Sequence, residues 1–436
     1  MVRRYLQQLD HNVKLSFLFT FAFWSSRSIV FEQILSGYIF VLTSSNEPVG
    51  YIKGVQGIVQ LLAAVPGGYA SDHCRRDTIL KLSAGTGLSC AFLTLYALYM
   101  NHMPLLYVVF ALWGLFFAIQ VPALEALFAD SIPQGKRAYP ITIKCVLTTV
   151  ATIVGPCICV VLFQVEGDSW NLWELQLVLM VGMSLGIPPL FLLFFFNDDL
   201  AYENSIKTAV VAAKETQPLV ALEAPSSASN MESEHNTFLW FGPRHVPYLL
   251  FTSDFIICNG AGLTINFFPV FFQHDYNLTP SQVNLLWVAQ PLLVVVLSLV
   301  CQRCATWCGD IETIVATRFF ATGCLALMTY ATPLSLVVAL FLMRSGFMRC
   351  SEPLRTSLLM DYVPQHLRGR WNALEGLTMF TYSGSAMVGG YLIEHHGYRY
   401  CFLITAAIYG IGLLAELLLL PIIRNDPKSQ SKLRNH

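Results

Sequence analysis

Two ionisable side chains, Arg27 and Glu32, sit inside "FWSSRSIVFEQILSG", a stretch otherwise apolar enough to dissolve in lipid. A charge near the centre of a bilayer costs at least ~2.5–3.5 kcal/mol, so such groups are kept where they face a wet cavity or one another. Five residues apart on a helix, these two point roughly 140° away from each other, so each is expected to meet something on another helix or in a cavity. The competing reading is a fixed interhelical salt bridge. Similar groups recur along the chain. Gln120 and Glu125 fall in a later apolar run. In "TSDFIICNGAGLTINFF", Asn259, Gly262 and Asn266 recur at i, i+3 and i+7 on one face, with Asp254 nearer one end. "FLMRSGFMRCSEPLR" places Arg344 and Arg349 at depth, with Glu352 spaced to neutralise Arg349 or Arg355. Arginines suit a carboxylate or another anionic group. The acids and amides beside them equally allow a zwitterion, and Glu32 and Asp254 are candidates to carry a proton. Arg318 and Glu375 read as structural or gate contacts.

Other chemistries find little support. No H-E-x-x-H helix and no Ser/His dyad with catalytic spacing occurs, so an enzyme is not expected. The 12 cysteines fall mostly inside apolar runs, which suits small buried thiols better than a disulfide framework. The one cluster, Cys301, Cys304 and Cys308 in "CQRCATWC", reads as reduced thiols. No cofactor and no metal are expected.

The elements that must position these groups are set by composition. The chain has 436 residues, 55% hydrophobic and 12% charged, with a mean hydropathy of +0.55. Soluble domains carry about 25% charged residues. Apolar runs of about twenty residues recur, each long enough to cross a bilayer, and the alternation of a β-barrel is missing. The expectation is an all-α multi-pass membrane protein, resident in a lipid bilayer and monomeric. Six spans fall at 15–42, 50–70, 79–100, 104–128, 141–164 and 174–196, and six more at 247–273, 282–301, 311–331, 333–359, 371–394 and 399–423. This gives an N-terminal six-helix bundle over 1–196 and a C-terminal bundle and tail over 247–436. The Ala-, Ser- and Glu-rich stretch between them, 197–246, is expected to be a disordered cytosolic linker. With both termini in the cytosol, that side collects most of the 26 Lys and Arg residues, and the opposite side keeps only Lys53 and Arg399. A formal net charge of −1, without a basic tract, gives no reason to expect nucleic-acid binding. The sequon at Asn277 is followed by Pro280, which disfavours its glycosylation.

An internal repeat names the architecture. "PALEALFADSIPQGKRA", from Pro122, aligns with "PLRTSLLMDYVPQHLRG", from Pro353, at an offset near half the chain length. Pro122 matches Pro353, Asp130 matches Asp361, Pro133 matches Pro364 and Arg137 matches Arg368. Both segments close the fourth span of their half, which argues for two parallel six-helix repeats. The acid-x-x-Pro-x-x-x-Arg pattern resembles the loop that follows helices 4 and 10 in the major facilitator superfamily. "GGYASDHCRRD" is similar to the family's Gly-x-x-x-Asp-Arg-x-Gly-Arg-Arg motif through Gly68 and Asp72. His73 stands in place of the first Arg, and Arg75 and Arg76 come one residue early. "AxxxGP" at Ala151 to Pro156 resembles a span-5 motif of the family's antiporters. The resemblance implies twelve helices in two bundles related by a pseudo-two-fold axis, with spans 1, 4, 7 and 10 around a central cavity. It also implies alternating-access transport of a small-molecule substrate, with protons as a candidate coupling ion. The loop residues would then form a gate on the cytosolic side. A non-transporting receptor or scaffold with the same fold is the alternative.

Overall fold

The computed structural model describes residues 10–133, 138–202, 245–363 and 368–424, without the side chains of Asp72, Ala138, Met360, Asp361 and most residues of 368–380. Among the described residues all regular structure is helical, in twelve spans. In the first half these are α1 His11–Val30 with α2 Gln33–Thr43, α3 Glu47–His73, α4 Arg76–Tyr99, α5 Met103–Asp130, α6 Ala138–Glu166 and α7 Leu172–Leu192. In the second half they are α8 Val246–Thr264 with α9 Phe268–Tyr276, α10 Pro280–Cys308, α11 Asp310–Tyr330, α12 Leu334–Cys350 with α13 Glu352–Tyr362, α14 Arg368–His396, and α15 Tyr398–Leu417 with α16 Leu419–Arg424. The face carrying Asp10 and Arg424 is called terminal here, and the opposite one distal.

Ten of the spans are long and apolar enough to cross a membrane. The other two are span 1, which is interrupted, and span 11 (α14), whose sequence is diluted along its length by Ser, Thr, Gly and Tyr. Side chains such as Leu62 and Val65, 71% and 79% exposed, form an outward apolar surface that only lipid would cover at low cost. Residues 203–244, the bulk of the expected linker, lie outside the described residues, as do Arg137 and Pro364.

Three spans differ from single rods. Span 1 breaks at Phe31–Glu32, where neither proline nor glycine is present. The freed backbone is satisfied locally, because the Phe31 N–H donates to the Arg27 carbonyl and Lys53 Nζ donates to the Phe31 carbonyl. Irregular backbone at membrane depth is tolerated only with such partners or beside a cavity. Span 7 breaks at the corresponding level, where a 3-10 turn over Ile265–Phe267 joins α8 to α9. Span 10 breaks at Ser351, as Pro353 leads one to expect: the proline occupies the first turn of α13, where its missing N–H costs nothing. Arg349 in the last turn of α12 and Glu352 in the first turn of α13 each complement the helix end they occupy. Pro122, its counterpart in span 4, stays inside a continuous helix.

Close backbone approach holds the helices together. A Cβ on Gly155 in span 5 would stand 2.6 Å from the Ser25 carbonyl oxygen of span 1. A Cβ on Gly50 in span 2 would stand 2.3 Å from the Ala386 carbonyl oxygen of span 11, across the two halves. Aromatic clusters fill the distal part of each half. Phe31 packs edge-on to Trp113 at 5.2 Å in the first, and Phe268 stacks on Phe402 at 5.0 Å in the second.

Candidate functional site

A cavity of about 370 Å³ lies between the halves, within the range of small-molecule sites. Its deep end is built around the break in span 1. Arg27, one turn before the break, lays its guanidinium over the Trp24 ring at 4.5 Å, with Phe117 at 5.4 Å. Glu32 sits in the break itself and lines the cavity. The interruption, rather than a regular helix, sets where Glu32 points, so the 140° estimate does not apply. Glu32 lies within electrostatic reach of Arg27, Lys53 and Tyr382.

Span 2 supplies Lys53, Gln56 and Gln60, and span 4 supplies the buried Gln120. The second half contributes Asn266 from the 3-10 turn of span 7, Trp287 of span 8, and Tyr382 and Ser383 of span 11. Asn266 occupies the break in span 7 as Glu32 occupies the break in span 1, and its buried Nδ2 meets no protein acceptor. At the mouth, Lys144 pairs with Glu125 at 2.6 Å, and the Glu125 side chain is 59% exposed, which marks the terminal face as the open end.

The distal end is closed. Gln33 Nε2 donates to Asn284 Oδ1 at 2.7 Å, joining span 1 to span 8 just beyond the cavity. The Asn46 N–H donates to Glu394 at 2.7 Å, and Tyr398 Oη donates to Asn46 Oδ1 at 2.9 Å. Trp170 Nε1 donates to the Leu278 carbonyl at 2.7 Å, and Asp168 accepts the Ser281 N–H at 2.8 Å. The α2 and α9 segments meet here, with the Phe40 ring edge-on to His274 at 6.3 Å.

Of the residues singled out in the sequence, Arg27, Glu32, Gln120 and Asn266 come together in this cavity, and Glu125 stands at its mouth. Asp254 does not join them. It is clamped between Arg318, at 2.9 Å, and Arg355, while Arg318 also pairs with Glu416, which is fully buried. Two arginines and two carboxylates thus tie spans 7, 9, 10 and 12 near the terminal face. Asn259 donates to the Phe255 carbonyl of its own helix at 2.7 Å, and Gly262 packs against the Tyr382 backbone. The stripe seen in span 7 therefore splits between packing and cavity. Arg344 turns into the second half, over the Phe268 ring at 4.6 Å, with its Nη2 bonded to Ser345 Oγ at 3.1 Å. Arg349 and Glu352 are exposed at the break in span 10.

The loop residues gather at the terminal face. Arg76 pairs with Asp130, linking the loop after span 2 to the end of span 4. Arg75 bridges Asp77 at 3.1 Å and Asp199 at 2.9 Å. Gly68 has open space where a Cβ would point, and Pro133 follows the end of α5. Asp72, Asp361 and Arg368 are placed as helix backbone only.

Sequence reasoning missed Lys53, Gln56, Gln60, Lys144, Tyr382 and Ser383. Lys53 was assigned to the distal surface by its nearness to the end of span 2, yet its ammonium reaches back to the break in span 1. The signal was present: Lys53, Gln56 and Gln60 recur at i, i+3 and i+7, which is one helix face.

Comparison with known proteins agrees with this architecture. A family model described as Major Facilitator Superfamily matches residues 15–374 and 250–435. The chain is 29% identical over 158 residues to a "Na(+), Li(+), K(+)/H(+) antiporter" of Planococcus maritimus, an alignment spanning 35% of each protein. Among solved structures it resembles the nucleoside transporter NupG, with a TM-score of 0.68 at 12% identity over 94% of this chain and 99% of that one. It also resembles a bacterial homologue of the iron transporter ferroportin in an inward-facing state, with a TM-score of 0.69 at 12% identity over 93% and 98%. The human organic anion transporter MFSD10 gives 0.59 at 13% identity over 93% and 98%. At these identities the structures speak to the fold alone, while the family model covers nearly the whole chain. It is therefore an integral multi-pass membrane protein and belongs to the Major Facilitator Superfamily.

Proposed function

We propose that the chain is a secondary transporter that moves a small organic solute, anionic or zwitterionic, by exposing its central cavity to the two faces in turn. The observation that carries this reading is the cavity itself. It lies between two halves, is lined by charged and amide groups from spans 1, 2, 4, 5 and 7 and by hydroxyls from span 11, opens at one face and is closed by hydrogen bonds at the other. The basic loops at Arg75 and Arg76 support a cytosolic terminal face, so this state would be the inward-open one. Residues 1–196 and 247–436 would then rock as two bundles joined through 197–246. The pairing of Arg76 with Asp130 supports a gate role for Gly68, Asp72, Arg75, Arg76, Asp130 and Pro133, with Arg137, Asp361, Pro364 and Arg368 completing it.

Glu32 is the candidate proton carrier, because it lines the cavity in the break of a helix. Asp254 is a weaker one, being held by two arginines. The partial likeness to a cation/proton antiporter supports exchange against protons. The test is uptake from a metabolite mixture into proteoliposomes of the purified full chain, with and without an imposed pH gradient. Accumulation above empty vesicles, lost in Arg27→Gln, is the expected result. Flux that ignores the gradient would remove proton coupling, and absence of flux for every solute would overturn the transporter reading.

A further inference from the structure

The charges of the cavity decide between the two substrate classes left open above, and the deduction rests on the carrier reading. At the mouth, Lys144 and Glu125 cancel. The deep end holds two cations, Arg27 and Lys53, against one acid, Glu32. Lys53 Nζ is bonded to the carbonyl of Phe31, the peptide immediately before Glu32, so the ammonium is held at the break that Glu32 occupies. Lys53 and Arg27 both lie within electrostatic reach of Glu32, and together they would repel an ammonium brought to it. One positive charge is left in excess at the deep end, and Arg27 is the cation with donors to spare. Trp24 and Phe117 cover the guanidinium as cation–π partners. Among the described residues no acceptor takes its edge N–H donors, and those donors suit a carboxylate. The opposite wall, from Ile265, Asn266, Pro269, Trp287, Tyr382 and Ser383, carries no charge.

We infer that the cavity binds an organic monoanion with an apolar or aromatic body, its carboxylate on Arg27 and its body against Trp287 and Tyr382, in preference to a zwitterion of the same shape. Lys53 acts as the specificity residue, by setting a second positive charge near the acid that a zwitterion's ammonium would need.

Three probes sharing one ring system separate the possibilities: 2-naphthoate, 3-(2-naphthyl)alanine and 2-naphthylmethylamine. Binding to the detergent-purified full chain is read from the concentration dependence of its melting temperature, since a ligand of the native state raises it. The expected result is 2-naphthoate tighter than either amine by about tenfold or more, the value of one charge-assisted hydrogen bond. In Lys53→Gln that preference should shrink at least several-fold as the naphthylalanine gains. Lys53→Arg, which keeps the charge, should retain wild-type selectivity and so controls for a folding defect. Equal or tighter binding of naphthylalanine or the amine to the wild type would overturn the inference, and so would the lack of any shift with all three probes. The carrier reading fails separately: 2-naphthoate that binds but, like every other solute, never accumulates in vesicles would sink transport and leave the site chemistry standing.

Discussion

At Arg27 the cost of a buried guanidinium is offset by two rings and by an open cavity, so the side chain is held without being used up. Replacing it with Gln should therefore leave the melting temperature nearly unchanged while lowering kcat/KM for an anionic substrate about tenfold to a hundredfold, the worth of a hydrogen bond to a charged group. Arg27→Lys should fall in between, because an ammonium keeps the charge and loses the fork. Arg318 is the opposite case. Its partners Glu416 and Asp254 are protein groups, and it is only 2% exposed. Removing one member of a buried ion pair typically costs about 3–5 kcal/mol because the other is stranded. Arg318→Met should accordingly lower thermal stability sharply, and the double variant Arg318→Met/Glu416→Leu should recover much of the loss, since Asp254 and Arg355 remain matched. A double variant no more stable than the single one would show that Arg318 acts through packing.

At the scale of elements, most of the architecture was legible in the sequence because hydropathy in lipid is a strong signal: every backbone group must be satisfied inside its own segment. The interruption of span 10 was legible as well, since Pro353 announces it. The interruption of span 1 was not. Phe31 and Glu32 are ordinary helix residues, and the break is stabilised from outside, by a lysine distant in sequence that donates to the Phe31 carbonyl. Nothing local encodes a partner on another helix. The same limit hid the partners of Asp254, which are Arg318 and Arg355 on other spans. Span 2 carries a sharper test. Gly50 leaves no room for a side chain against the Ala386 carbonyl, so Gly50→Ala should wedge spans 2 and 11 apart at the distal face. A cysteine at Ser36, which is 1% exposed and lines the cavity, should then react faster with a reagent added from the distal side, in a background lacking the native cysteines. Unchanged labelling would mean that the contact is not part of the closure.

For the whole molecule, the ion pairs named at the terminal face lie within one half or the other, while the hydrogen bonds of the distal face join the halves. A bridge placed across the distal face should therefore arrest the cycle. Asn46→Cys with Glu394→Cys, cross-linked by a short thiol reagent, is expected to abolish net transport while ligand still binds from the terminal side. Reduction or omission of the cross-linker should restore flux to that of the uncross-linked pair. Because the first helix of each half is cut at one level, the pieces beyond the cuts are stubs of 11 and 9 residues that lean on each other through Phe40 and His274. Each stub can tilt about its own joint without dragging the long shaft below it. Departure through the distal doorway would then need two small leaves to swing, whereas the other doorway has no such hinge in spans 1 and 7 and has to move their full lower shafts.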